Sequence, residues 1–371
     1  MVILLSIFIL IYCALIIAFI IGFSAKKGIK SPQTNQKTRF SVVIPFRNEA
    51  ENLSVLLQSL SEINYPKELF EIILINDASS DDFEPIIADF KRNKPISIQV
   101  LDNVRKSGSP KKDALNIGIA HSKCDWIVTT DADCVVPQEW LKLFNERILT
   151  QKSRFIAAPV GFLDGKNYLL TNFQKLDFLS LQGATIGAFN LNHPFMCNGA
   201  NIAFAKAEFA RLKGYEENDS IASGDDVFLM QKFIENDRSS VSYIQSPEAF
   251  VLTQPQPSWK SLIEQRKRWA SKASAYKNWF GILTSWAVFT GNLALLIALF
   301  FVENRPFLLI LIAVKFLVDF ILIAQAAFLI KQKGSLINYL WCAILYPFFT
   351  VFIAISSQLG NYEWKGREFK K

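Results

Sequence analysis

The chain opens on 23 residues without a single charged side chain. A bilayer core takes about 20 apolar residues in helical form, so this run predicts a membrane-spanning helix. The pattern then changes to short β-branched runs alternating with helical spacing. Residues 40–46 (FSVVIPF) read as a strand. Leu53, Leu56, Leu57 and Leu60 follow at the i, i+3, i+4, i+7 spacing of a helix. Residues 70–75 (FEIILI) read as a second strand, ending in Asn76, Asp77 and a polar turn, with a helix to about Arg92. Residues 96–101 are a third strand, 111–121 a helix and 126–130 (WIVTT) a fourth strand ending at Asp131. Strand alternating with helix implies βαβ units and a mostly parallel sheet. Beyond Gln151 the pattern is less regular. Residues 155–160 predict a strand and 168–189 a long helix, and 198–204, 224–235 and 248–253 complete the domain.

Pro255 and Pro257 mark a boundary. Residues 258–279 then combine Trp259, Lys260, Arg266, Lys267, Arg268, Trp269, Lys272, Tyr276, Lys277 and Trp279, which suits a helix lying in a membrane interface. Three apolar segments follow, near 281–302, 306–330 and 336–356. Lys315 and Asp319 lie four apart in the middle one, and either pair on one helix face or mark a segment shielded from lipid. The expected organisation is an anchor at 1–23, an α/β domain at 39–257, an amphipathic helix at 258–280, membrane segments at 281–357 and a basic tail at 358–371.

Composition sharpens this picture. The chain has 371 residues, 51% of them hydrophobic and 32 of them Phe, more apolar than a purely soluble protein needs. A cleaved signal peptide is the other reading of residues 1–23. The apolar run is longer than an ordinary h-region, and it lacks a basic n-region and a small-x-small cleavage site, so a retained anchor is favoured. Lys26, Lys27, Lys30, Lys37 and Arg39 follow it, and basic flanks stay on the cytoplasmic side. The expected setting is a multi-pass protein of the cell (inner) membrane with a cytoplasmic central domain. Four spans then place Lys365, Arg367, Lys370 and Lys371 outside, against the same rule, unless one segment is re-entrant or interfacial. The five cysteines sit without pairs at metal-site spacing, as a reducing compartment allows, and the two histidines form no ligand-like cluster. The net charge of +7 reads as topogenic flanks plus a basic interfacial segment. No nucleic-acid module accompanies it, so no nucleic-acid partner is expected.

In open α/β sheets ligands bind outside the carboxyl ends of the strands. Asn48 and Glu49 follow the first strand, Asp77 the second, and Asp131 and Asp133 the fourth. This predicts one crevice holding several carboxylates. A cation relieves their repulsion, and oxygen ligands favour Mg²⁺ or Mn²⁺ bridged to substrate phosphates.

The motifs SVVIPFRNEAENL (41–53), INDASSDD (75–82), KKDALNIG (111–118), TDADC (130–134), SGDDVFL (223–229) and QRKRW (265–269) occur in this order. Together they resemble the inverting glycosyltransferases of family two over roughly residues 39–280. The resemblance implies a GT-A fold, a nucleotide-sugar donor, a divalent metal (Mg²⁺ or Mn²⁺) and a lipid or glycan acceptor at the bilayer. By the same resemblance, Asp77 binds the nucleobase, uracil, with Pro45 and Glu49 shaping its pocket. Lys111 matches the family's G-K-x-x-A-L-N lysine, although Pro110 replaces the glycine and the register can slip to Lys112. Asp131 and Asp133 match the D-x-D, with Asp133 on the metal and Asp131 on ribose or metal. Asp226 is the general base, in an Asp225-Asp226 pair where the family has Glu-Asp. Gln265, Arg268 and Trp269 match Q-x-x-R-W and close over the donor, and Trp269 also stacks on the acceptor. Asn198 and Gly199, with Asp225, belong to the acceptor side. A helix-capping role for Asp225 and Asp226 is compatible with this, since both open a predicted helix. His193 reads as structural, because Asp226 fills the base role.

Q-x-x-R-W occurs in both lipid-glycosylating and polysaccharide-making relatives. Four hydrophobic segments are few for a secretion channel. WKGREF (364–369) resembles the tail of the lipid-glycosylating relatives. A lipid acceptor is therefore favoured, with a UDP-sugar as the donor that the resemblance implies. A polysaccharide synthase is the alternative, and a non-catalytic nucleotide-sugar sensor is a second one that would be expected to lose the carboxylates kept here.

Overall fold

The computed structural model describes residues 1–25, 36–217, 223–272, 277–359, 362–364 and 367–369. Lys26, Lys27, Lys30, Tyr276, Lys365, Lys370 and Lys371, named above, lie outside the described residues. In chain order the elements are α1 (Val2–Ser24), β1 (Phe40–Phe46), α2 (Ala50–Ser61), β2 (Phe70–Asn76), α3 (Glu84–Asn93), β3 (Ser97–Asp102), α4 (Pro110–His121), β4 (Trp126–Thr129), β5 (Cys134–Val135), α5 (Trp140–Gln151), β6 (Phe155–Ala157), β7 (Val160–Phe162) and α6 (Tyr168–Asn190). They continue with β8 (Ile202–Ala205), α7 (Lys206–Arg211), α8 (Asp225–Asp237), β9 (Val241–Tyr243), β10 (Val251–Thr253), α9 (Trp259–Ser271), α10 (Trp279–Ala298), α11 (Phe307–Leu329), α12 (Tyr339–Ser356), β11 (Tyr362–Trp364) and β12 (Arg367–Phe369). The chain divides into two units: Met1–Lys27 with Asp164–Met196 and Pro255–Lys371, and Gly28–Leu163 with Cys197–Gln254.

The second of these is the expected α/β unit. Its main sheet has the order β3-β2-β1-β4-β8-β6-β9. β1 to β4 run parallel, and β8 is antiparallel to both β4 and β6. The apolar runs of β1 and β2 become central strands buried on both faces: Val42, Val43, Ile44, Ile72, Ile73 and Leu74 are all 0% exposed. Residues covered from both sides need no alternation, which is why these strands read as continuous apolar runs. The strand expected over 155–160 is two strands in two sheets. Pro159 has no N–H for the ladder, and β7 joins a small sheet of order β5-β10-β7. β9, on the edge of the main sheet, carries no apolar run and was not foreseen.

The other unit gathers α1, α6 and everything after Pro255. Among the described residues, four helices are long and apolar enough to cross a membrane: Val2–Ser24, Trp279–Phe301, Phe307–Leu329 and Lys333–Ser356. They match the four hydrophobic segments. The sequence places α6 in the 39–257 domain, but its packing partners are α1 and α11. Small residues make this possible. A Cβ on Gly187 would strike Phe19 of α1, and one on Gly183 would meet Leu322 of α11 at 2.8 Å, so the backbones approach as they do in membrane helix pairs. Lys315 and Asp319 do pair, at 2.8 Å, and Tyr12 of α1 donates to the second oxygen of Asp319 at 2.7 Å. A buried ion pair with its lone pairs filled this way is tolerable in an apolar bundle. The amphipathic helix is shorter than expected. α9 ends at Ser271. Asn278 starts a new helix by accepting from the N–H groups of Phe280 and Gly281, so Trp279 belongs to α10.

Candidate active site

The loops at the carboxyl ends of β1 and β2 are tied to each other. Asn48 accepts from Ser80 N at 2.8 Å, Ser79 Oγ accepts from Asn48 N at 3.1 Å, and Asp81 accepts from Ala50 N at 2.7 Å. Asn48 and Ala78 are held at φ of 53° and 54°. Positive φ is strained for alanine, and such strain collects at ligand-binding sites. Asp77, 8% exposed, accepts from Asn103 Nδ2 at 2.9 Å and Arg105 Nε at 2.7 Å, and its carbonyl accepts from Arg47 at 2.8 Å. Glu49 is the N-cap residue of α2 and accepts from Asn52 at 2.6 Å. Pro45 lies in β1, paired across to Ile75. The arginine clamp on Asp77 has no sequence signal, because Arg105 stands 28 positions away in a loop.

A second cluster forms where β4, α4 and α8 meet. Lys111, in the first turn of α4, places Nζ 2.7 Å from Asp131 Oδ1 and 3.5 Å from Asp225 Oδ2. The neighbouring Lys112 is 1% exposed and lies 5.3 Å over the Phe228 ring. Burial pulls the Lys111 pKa down, but Asp131 and then Asp225 outweigh it and hold the ammonium well above the ordinary lysine value. Part of the cation expected to relieve the carboxylates is thus this lysine. Asp226 Oδ2 accepts from Gly199 N at 2.9 Å and Oδ1 from Val227 N at 2.7 Å. Gly199 packs close against both carboxylates. A Cβ would stand 3.0 Å from Asp225 Oδ2 and 3.4 Å from Asp226 Cβ. The Gly199 carbonyl accepts from Thr129 at 2.7 Å, which fixes the loop to the end of β4. Asn198 turns its oxygen onto Ala200 N at 3.0 Å, a loop-shaping bond. Tyr215 lies beneath the pair, where burial, then Asp225 and Asp226, push its phenol pKa well up. Lys111, Asp131, Asp225, Asp226 and Gly199 are therefore one constellation.

Asp131 and Asp133 share one tight turn, closed by Cys134 N donating to Asp131 O at 3.2 Å. Burial first, then Asp133 and Asp131, raise the Cys134 pKa well above the usual thiol value, which disfavours a thiolate beside the two carboxylates. The remaining donors are carboxylate oxygens, which fit Mg²⁺ or Mn²⁺. Among the described residues no group of three or more His, Cys, Asp and Glu side chains could hold a metal ion. Such ions characteristically take one or two carboxylates and complete their shell with water and substrate phosphate.

Gln265, Arg268 and Trp269 stand on α9, in the other unit, and all three are partly exposed. Ser258 caps this helix in a reciprocal box with Ser261. Trp269 rests against Phe178 of α6, ring centroids 6.0 Å apart. His193 stacks on Phe280 at 5.0 Å, in keeping with a structural role.

Comparison with known proteins adds the following. The family described as Glycosyl transferase family 2 matches residues 41–205, and Glycosyl transferase family group 2 matches residues 126–355. The probable glycosyltransferase YdaM of Bacillus subtilis (strain 168) is 27% identical over 239 residues, 62% of this chain and 54% of that protein. A poly-beta-1,6-N-acetyl-D-glucosamine synthase of Staphylococcus epidermidis is 28% identical over 238 residues, covering 62% of this chain and 53% of its own length. The chain thus spans about half the length of the curated relatives it matches. Among solved structures, the mannosyltransferase PcManGT from Pyrobaculum calidifontis, in complex with GDP-Man and Mn2+, overlays 92% of this chain and 98% of its own with a TM-score of 0.55 at 15% identity. That likeness speaks for the fold alone.

Proposed function

The chain belongs to the family-two glycosyltransferases, and from that premise we propose that it transfers a sugar from a UDP-sugar to a lipid acceptor at the membrane, with inversion. The observation that carries the reading is the constellation of Lys111, Asp131, Asp225 and Asp226 at the carboxyl edge of the sheet. Asp226 is the general base. Its two oxygens are pinned by peptide N–H groups, so the carboxylate holds one orientation. It takes the proton of the acceptor hydroxyl as that oxygen bonds to the anomeric carbon. The bond from that carbon to the diphosphate oxygen breaks in the same displacement, and UDP leaves with the electron pair. Asp131 and Asp133 would hold Mg²⁺ or Mn²⁺, which when bound neutralises charge on the leaving diphosphate. Lys111 fixes Asp131 and balances the carboxylates. Asp77, with Pro45 and Glu49, binds the nucleobase. Gln265, Arg268 and Trp269 serve donor and acceptor binding, and Asn198, Gly199 and Asp225 the acceptor side. The four apolar helices support a multi-pass membrane protein; the reading adds that the α/β unit faces the cytoplasm.

The named Staphylococcus relative favours a second reading, in which the acceptor is a growing polysaccharide. One experiment tests both. The detergent-purified full chain is incubated with a panel of radiolabelled UDP-, GDP- and dTDP-sugars, with Mg²⁺ or Mn²⁺ and with or without lipid extract. The expected result is lipid-stimulated label in the organic phase from a UDP-sugar. Label in water-soluble polymer supports the polysaccharide reading instead. No transfer from any donor by folded protein, with glycan primer also supplied, counts against the reading.

A further inference from the structure

Arg266 occupies the first of the two unspecified positions in Gln265-x-x-Arg268-Trp269, and neither the motif nor the comparisons give it a role. It is the buried arginine of α9, at 6% exposure, whereas Gln265, Arg268 and Trp269 are partly exposed. Its guanidinium makes three contacts at once. Nε donates to Asp177 Oδ2 at 2.8 Å, and Nη2 stands 2.7 Å from the same oxygen. Nη1 donates to Gln265 Oε1. The face of the group lies 4.2 Å from the centroid of the Trp269 ring. Asp177, 7% exposed, comes from α6, so the anchor of the assembly lies on a different helix from the motif.

We propose that Arg266, held by Asp177, is the positioning residue that sets the Gln265 amide and the Trp269 ring for substrate. A guanidinium has donors only. The atom of Gln265 that faces it must be the oxygen, and the amide NH₂ is turned the other way, as a pair of donors for an acceptor-rich ligand. A nucleoside diphosphate sugar, with phosphate and hydroxyl oxygens, is that chemistry. One face of Trp269 is occupied by the cation, which also fixes the ring plane. Lysine cannot replace this arrangement, since it lacks the planar fork that reaches a carboxylate, an amide and a ring together. The inference rests on the transferase reading above, in which Gln265 and Trp269 bind substrate.

The test is a double-mutant cycle on the full chain in detergent, using the donor that gives turnover with wild type. Arg266→Gln is expected to lower kcat/KM for the donor about tenfold or more, and to cost several-fold less when Gln265 is already alanine, where only the Trp269 contact is left to lose. Arg266→Lys should not rescue. Gln265→Glu provides a variant that keeps the Arg266 contact and hence the fold, yet has no NH₂ to donate. It should lose about as much activity as Gln265→Ala with its thermal unfolding unchanged. Equal losses from Arg266→Gln in both backgrounds, or full activity in Gln265→Glu, would overturn the positioning role while the transferase reading stands. Wild type without turnover on any donor would overturn both.

Discussion

Asp226→Asn is expected to lower turnover about 10²–10⁴-fold, the usual contribution of a positioned general base, while leaving nucleotide-sugar affinity within about threefold. The amide is isosteric with the carboxylate but cannot take the acceptor proton. It also cannot accept from both of the peptide donors that Asp226 serves, Gly199 N at 2.9 Å and Val227 N at 2.7 Å. One N–H is left facing the new NH₂, at a cost of about 1–3 kcal/mol. Thermal unfolding should therefore fall by a few degrees and isothermal binding of the UDP-sugar should persist. Wild-type turnover in this variant would remove Asp226 from the base role.

Lys111→Met is expected to lower kcat/KM about 10²-fold, the scale of losing one preorganised charge at a reacting centre. The substitution keeps the stem and removes the ammonium that stands between Asp131 and Asp225. The stability cost should be only about 1–2 kcal/mol, less than for a fully buried pair, because Asp131 is 38% exposed. The sign of the pH dependence follows from the raised pKa. A lysine with its folded pKa raised contributes stability in full below its unfolded value of about 10.4, and that contribution fades as pH climbs through the folded value. The defect should thus be the same at pH 6 and pH 9. A defect that disappears at pH 9 would mean that the lysine acts by titrating. Denaturation midpoints and kcat/KM at the two pH values decide this.

Much of the α/β unit was legible because its central strands are buried on both faces and its helices carry regular apolar spacing. Asp131 was legible as a strand-end carboxylate of a parallel sheet, whereas Asp225, which meets it through Lys111, opens a helix with Asp226 and carries no strand-end signal. What escaped was whatever depends on which of two adjacent side chains turns inward. Lys111 and Lys112 are equivalent in sequence, yet one meets Asp131 and the other covers Phe228. Arg266, Lys267 and Arg268 read as one basic run, yet Arg266 finds a buried carboxylate 89 positions earlier. α6 carries Gln174, Lys175, Asp177 and Gln182, which look like a soluble helix. Gly183 and Gly187, inconspicuous in the sequence, set its packing against α1 and α11. The break at Pro159 was visible as a proline, but a three-residue strand on either side is too short for a periodicity to register.

The central claim is a single displacement in which Asp226 takes the proton of the attacking hydroxyl. The anomeric configuration of the first product formed from an α-linked UDP-sugar, read by proton NMR coupling constants, tests it most directly. A β-linked product, formed about 10²–10⁴-fold more slowly by Asp226→Asn, is the predicted result; an α-linked product would contradict it.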